Sequence, residues 1–169
     1  MSKKITMLPA LLFVIAHIAL AQGSGDVAST LYVKRISVNA EGKEVAEQAR
    51  SAKPGDVLEY VADYTNRGKN TAKSLEATLP IPAGTEYLPD SARPAPSLAS
   101  ADGTTFLQLP LKRKVRQADG TLVEQPLPYA QYRFLRWPAR DLGAGKNLLY
   151  STRVKVLADA TPAAPAVKK

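Results

Sequence analysis

The chain contains no cysteine, and its one histidine, His17, lies near the N-terminus. Beyond that point neither residue type occurs. This excludes a disulfide framework, a thiol nucleophile, the usual zinc sites and an imidazole general base. Neither Gly-x-Ser-x-Gly nor Ser-x-x-Lys occurs, so serine hydrolysis has no recognisable nucleophile. No Asp-x-Asp-x-Asp-Gly loop is present to bind calcium, and no Leu-Pro-x-Thr-Gly sorting signal or second long apolar run is found. These absences predict a protein that is not an enzyme, with no catalytic residue, no cofactor and no metal.

The N-terminus is different in character. Lys3 and Lys4 precede an apolar run from Met7 to Ala21 that closes on the small-x-small triplet Ala19-Leu20-Ala21. The run is too short for the roughly 20 residues that cross a bilayer, and its pattern is that of a secretory signal peptide over residues 1–21, cleaved before Gln22. Twenty-one basic side chains then remain against fifteen acidic ones, a formal charge of +6. The expected location is secreted or periplasmic, with association to the cell surface as the further option, and no transmembrane segment is expected in the mature chain. His17 is expected to leave with the signal peptide, so stability must come from a core alone.

Residues 22–29, "QGSGDVAS", read as a flexible leader, and residues 158–169, "ADATPAAPAVKK", as a disordered Pro/Ala-rich tail. Residues 30–157 form one domain, long enough to bury about two thirds of its unfolded surface. Its hydrophobic period is two. In "VLEYVADY" one face collects Leu58, Tyr60, Ala62 and Tyr64, and the other carries Glu59 and Asp63 beside Val57 and Val61. "NLLYSTRVKVL" repeats the pattern, with Leu148, Tyr150, Thr152, Val154 and Val156 opposite Arg153 and Lys155. Further strands are predicted over residues 30–38, 72–80, 105–116, 121–125 and 130–137. Residues 43–52 fit a helix or a short strand equally.

Turns fall between these runs at Pro54-Gly55, Asn66-Arg67-Gly68, Pro82-Ala83-Gly84, Asp102-Gly103, Asp119-Gly120 and Gly143-Ala144-Gly145. Asp-Gly between alternating runs predicts a tight hairpin of type I′. Short strands at regular intervals, without alternating helices, predict an all-β fold: an immunoglobulin-like antiparallel β-sandwich, with a small barrel as the alternative.

Three phrases, "AKPGDVLEYVADYTNRG" (52–68), "LPIPAGTEYLPDSA" (79–92) and "RFLRWPARDLGAGKNLLYSTRVKV" (133–156), together resemble the bacterial conserved repeat domain, also called domain of unknown function 11. The resemblance spans about residues 30–157, in a single copy. It implies an exported, envelope-associated or cell-surface sandwich module with a structural or adhesive role. Within these phrases Gly55 and Gly68 are expected to adopt backbone conformations closed to other residues.

The remaining motifs divide between structure and binding. "GAGKN" (143–147) lacks the first glycine and the final Ser or Thr of a phosphate loop, and reads as a hairpin turn. Trp137 with Tyr129, Tyr132 and Phe134 offers a stacking platform between Arg133, Arg136 and Arg140, but a lone Trp on a sandwich strand is expected in the core. Asp56, Glu59 and Asp63 form the best carboxylate grouping, read as one turn residue and two solvated ones. "KRKVR" is the densest charged run. As a strand it sends Lys112, Lys114 and Arg116 to one face and Arg113 with Val115 to the other. The candidate anion-binding residues are therefore Lys112, Arg113, Lys114 and Arg116, with an anionic envelope polymer as ligand; the other reading is an edge strand that charge defends against pairing. The expected partners are an envelope or cell-surface protein, or that polymer, and no specific nucleic acid.

Overall fold

A computed structural model describes residues 26–158. The signal-peptide reading, most of the leader and the tail after residue 158 lie outside the described residues. Among the described residues no helix is long and apolar enough to cross a membrane.

Alternation dictates strands, and thirteen form among the described residues: β1 (Val27–Val38), β2 (Glu44–Gln48), β3 (Val57–Asn66), β4 (Ala72–Leu75), β5 (Thr78–Pro80), β6 (Thr85–Tyr87), β7 (Leu98–Ser100), β8 (Leu107–Gln108), β9 (Lys112–Arg116), β10 (Leu122–Pro126), β11 (Phe134–Arg136), β12 (Arg140–Leu142) and β13 (Asn147–Val156). One 3-10 turn covers Tyr129–Gln131. Every pairing between these strands is antiparallel. A five-stranded sheet runs β2-β1-β3-β13-β6, a four-stranded sheet runs β5-β11-β7-β8, and β12-β4 and β10-β9 form two-stranded ribbons.

The all-β sandwich-like arrangement follows from which side chains are hidden. Leu58, Tyr60, Ala62 and Tyr64 of β3 lie beside Tyr150, Val154 and Val156 of β13 in the same buried cluster as Leu79 of β5, Ala99 of β7, Leu135 of β11 and Trp137. Both alternating faces predicted from "VLEYVADY" and "NLLYSTRVKVL" thus point inward as expected, though Val61 on the opposite face of β3 is buried too. Aromatic contacts complete the packing, with Tyr64 and Tyr150 edge-to-face at 5.9 Å between ring centroids and Trp137 tilted 5.0 Å from Tyr150. Such aromatic pairs stabilise beyond their buried area.

The structure revises several boundaries. β1 begins at Val27, which is buried and pairs with Asn66, so residues 27–29 belong to the sheet and not to a leader. Within residues 43–52 the chain forms a short strand, β2, at Glu44–Gln48, and no helix. The single strand expected over 72–80 divides into β4 and β5, which join different sheets. The break is matched across the ladder: Pro138, which has no N–H to donate, separates β11 from β12, while the Trp137 amide reaches the Ala77 carbonyl at 2.9 Å. Pro110 likewise divides 105–116 into β8 and β9. Residues 130–137 hold a 3-10 turn before the short β11.

The turns are also corrected. At Asp119-Gly120 only the glycine has positive φ, +86°. The Gly120 amide donates to the Gln117 carbonyl at 3.0 Å, and the Gln117 amide to the Thr121 carbonyl at 2.8 Å. This is a type I turn followed by a left-handed glycine bulge, not a type I′ turn. "GAGKN" forms a turn, with the Lys146 amide 3.1 Å from the Gly143 carbonyl, but it joins β12 to β13 in different sheets and so closes no hairpin. Gly55 has φ +90° as expected, whereas Gly68 does not: a side chain there would collide with Asp26.

Candidate functional site

β9 and β10 pair from Lys112↔Pro126 to Arg116↔Leu122, with Lys114 opposite Glu124 and Val115 opposite Val123. Pro110 and cis Leu109-Pro110 lead into the ribbon, and Leu111 anchors its base in the core. The Tyr132 hydroxyl accepts the Leu111 amide at 2.6 Å, and the Leu127 amide donates to the Leu111 carbonyl at 2.8 Å. From this base outward the ribbon leaves the core. Val115 and Val123 are half-buried, while Lys112, Arg113, Lys114 and Arg116 are all exposed.

The structure therefore brings the four candidate residues together on one strand, as the alternation implies. Compensation is modest. Lys112 Nζ lies 3.6 Å from Glu124 Oε2, and Arg116 Nη1 donates to the Gly120 carbonyl at 2.9 Å. Asp119 in the turn is a second carboxylate, held below its ordinary range by the Thr121 hydroxyl and amide. Across residues 112–126 four cations face two carboxylates, leaving +2. Leu122 adds an exposed apolar side chain opposite Arg116.

The stacking platform does not assemble. Trp137 and Tyr132 are buried, with the indole N–H donating to the Pro94 carbonyl at 2.6 Å. Arg133 is turned onto the Ala130 and Tyr132 carbonyls at 2.8 and 2.7 Å. Arg136 instead stacks on Phe106, 3.4 Å from the ring centroid, and reaches Glu76 at 3.3 Å. The carboxylate grouping is likewise distributed. Asp56 accepts the Lys53 amide at 3.0 Å, Glu59 lies 3.6 Å from Arg153 Nε, and Asp63 accepts the Thr65 hydroxyl at 3.2 Å. Among the described residues no group of three or more such side chains is placed to hold a metal ion.

Two contacts escaped the sequence reading. Asn66 is fully buried, and its side chain donates to the carbonyls of Asn70 and Leu142, each at 2.8 Å, while accepting the Gly68 amide at 2.9 Å. Every polar atom of that amide side chain is thus used, tying the loop after β3 to the end of β12. Its sequence signal was an Asn two residues before a Gly, which reads only as a turn. Arg153 on β13 makes a bidentate pair with Glu44 of β2, at 2.8 and 2.9 Å, although β1 and β3 stand between those strands in the sheet order. The guanidinium hydrogen bonds, then its charge, hold Glu44 below the ordinary carboxylate range. Beside β2 opens a cleft of about 440 Å³, lined by Val33, Leu58, Ala49 and Ala52 with Arg50 at its rim.

No family model matches this chain, and neither the curated proteins nor the solved structures contain a significant match to it.

Proposed function

We propose that the protein is an exported, non-catalytic module of the cell envelope that works by contact with another protein. The observation that carries this reading is the disposition of its polar side chains. The buried ones hold the fold: Asn66 joins the loop after β3 to the end of β12, Thr85 donates to the Pro82 carbonyl at 2.7 Å, and Ser100 donates to Asp102 at 2.9 Å. The charged ones spread over sheet faces and the free ribbon, where they act on surfaces and not on a substrate enclosed between them. The N-terminal pattern of two lysines, an apolar run and Ala-Leu-Ala supports export, and the resemblance to the conserved repeat domain supports an envelope role. Mass spectrometry of the exported protein is expected to find Gln22 at the new N-terminus, and a pull-down from its own envelope fraction to retain a specific protein. A full-length chain held in the cytoplasm would overturn the reading.

A second reading, an anionic envelope polymer bound by the ribbon, is favoured by the exposure of all four cations. Neutralising about three anionic groups gives a log–log salt slope near −3, by analogy with counterion release from nucleic acids. Replacing Lys112, Lys114 and Arg116 together by Gln is expected to flatten that slope. An unchanged slope removes the ribbon from the binding surface.

A further inference from the structure

Sheet edges are where a β-protein meets other chains, because an unpaired row of N–H and C=O groups templates a new strand. Most edges among the described residues are closed to this. β6 has three residues between Pro82 and Pro89, β5 ends at Pro80, β8 has two residues before Pro110, and β10 ends at Pro126. β4 and β12 are short and carry a register shift. Apart from the uncharged stretch Val27–Tyr32 of β1 that runs past β2, two edges remain that are five residues long and free of proline: β2, at the margin of the five-stranded sheet, and β9, on the outer side of its ribbon.

Their side chains are complementary. β2 is "EVAEQ", with no cation, and β9 is "KRKVR", with no anion. Set antiparallel and centred, they oppose Glu44 to Arg116, Val45 to Val115, Ala46 to Lys114, Glu47 to Arg113 and Gln48 to Lys112. Opposite charges and an apolar pair then fall directly across from one another, which is what stabilises neighbouring strands. The other combinations do not match. Two β9 strands in the same alignment put Lys114 against Lys114 and Lys112 against Arg116, and two β2 strands put Val45 against Glu47. Glu44 already binds Arg153 and Glu47 lies 3.4 Å from Arg35, and each exposed carboxylate keeps acceptor capacity for a second donor, Arg116 and Arg113 respectively.

We propose that β9 of one copy adds to β2 of a second copy, extending its five-stranded sheet. This rests on the protein-contact reading above and names the partner as the chain itself. The contact is heterologous, because different surfaces meet. Each added copy leaves a β2 and a β9 free, so association continues into chains or closes into rings.

Charge reversal tests the pairing in the protein purified as exported. Sedimentation velocity at low ionic strength is expected to show mass rising with protein concentration. Glu47→Lys alone and Arg113→Glu alone should each weaken association by about tenfold, through like charges set opposite. The double variant, in which Lys opposes Glu, should recover it, and its recovery also shows that the variants fold. A wild-type monomer at every concentration overturns the proposal, as does a double variant no better than the singles. The N-terminal processing and the pull-down decide the broader reading separately, since a strictly monomeric chain that retains an envelope protein refutes only the self-pairing.

Discussion

Two hairpins in this molecule close by the same turn and then part company. In the β1–β2 hairpin the Asn39 amide donates to the Lys43 carbonyl at 2.9 Å, the Gly42 amide to the Asn39 carbonyl at 3.0 Å, and Gly42 has φ +75°. In the β9–β10 hairpin Gln117, Thr121 and Gly120 make the same two bonds, with Gly120 at φ +86°. The first is then woven into the body: β1 pairs with β3 over ten residues, and Glu44 is pinned by Arg153. The second is held only at its base, by Leu111 and Leu127. The turn therefore sets the shape of a hairpin, and the flanking alternation decides whether it becomes core or projection. Where inward positions are Leu31 and Val33, the side chains pack against the core while remaining half-buried; where the run is Lys-Arg-Lys-Val-Arg, only one residue in five can be covered.

The contrast can be broken most severely in the body. Leu135→Ala, at a fully buried position between β5 and β7, should destabilise by about 2–5 kcal/mol through lost transfer energy and a residual cavity. Leu122→Ala on the ribbon should cost under about 0.5 kcal/mol, as exposed changes do. Urea unfolding of both variants, compared at their midpoints, measures the difference, and equal shifts would mean that the ribbon is part of the cooperative core.

Next in size are the turn glycines. Gly42→Ala and Gly120→Ala meet no steric neighbour, so each costs only its left-handed backbone, about 1–2 kcal/mol. In the first hairpin the loss should lower the global midpoint. In the ribbon it should appear as faster hydrogen exchange at residues 113–125 with the midpoint little changed, because local opening there is cheaper than global unfolding.

The two tyrosines on neighbouring strands β3 and β13 offer a gain. The hydroxyls of Tyr60 and Tyr150 are buried without a hydrogen-bond partner, so Tyr60→Phe removes an unsatisfied group and should stabilise by about 1 kcal/mol. Burial pushes the Tyr60 phenol up to about 12. Its raised folded value means that the stability it contributes is intact below about pH 10 and is lost as pH rises toward 12. Tyr60→Phe should delay alkaline unfolding. No tyrosine lies in residues 112–126, so the ribbon's protection, taken relative to base-catalysed intrinsic exchange, should fall with alkali only when the body opens.

Acid has the smallest expected effect and treats the hairpins alike. Glu44 is lowered by Arg153 and Asp119 by Thr121. Depressed carboxylates stabilise above their unfolded values and lose that contribution as pH falls through the folded ones. Chemical-shift titration should show both protonating below the ordinary carboxylate range, and Glu44 alone should revert on Arg153→Gln.

The two inward faces of β3 and β13 were legible in the sequence because each residue there answers to one rule, alternation against a core. The exposure of the four ribbon cations was legible for a different reason: a charge is costly to bury without a partner, and the run offers none. Asn66 was not, since its partners Asn70, in a loop, and Leu142, at the end of β12, approach it only through the whole topology. The division of residues 72–80 was hidden because the stop lies in Pro138, on the strand that returns much later. Arg153 and Glu44 are 109 positions apart in the chain, and nothing local announces that they meet.

Trp137 has one more consequence. It is the chain's single tryptophan, wholly buried, hydrogen-bonded to Pro94 and close to Tyr150 where the two sheets meet. Its emission is a built-in signal of whether the sheets are together, and excitation passed from Tyr150 should vanish when they part. The ribbon between residues 112 and 126 contains no aromatic side chain at all. To light, then, the molecule discloses its interior and keeps its charged projection dark, so a fluorescence record that stays flat while the protein binds or assembles is what an intact sandwich acting through its edges would produce.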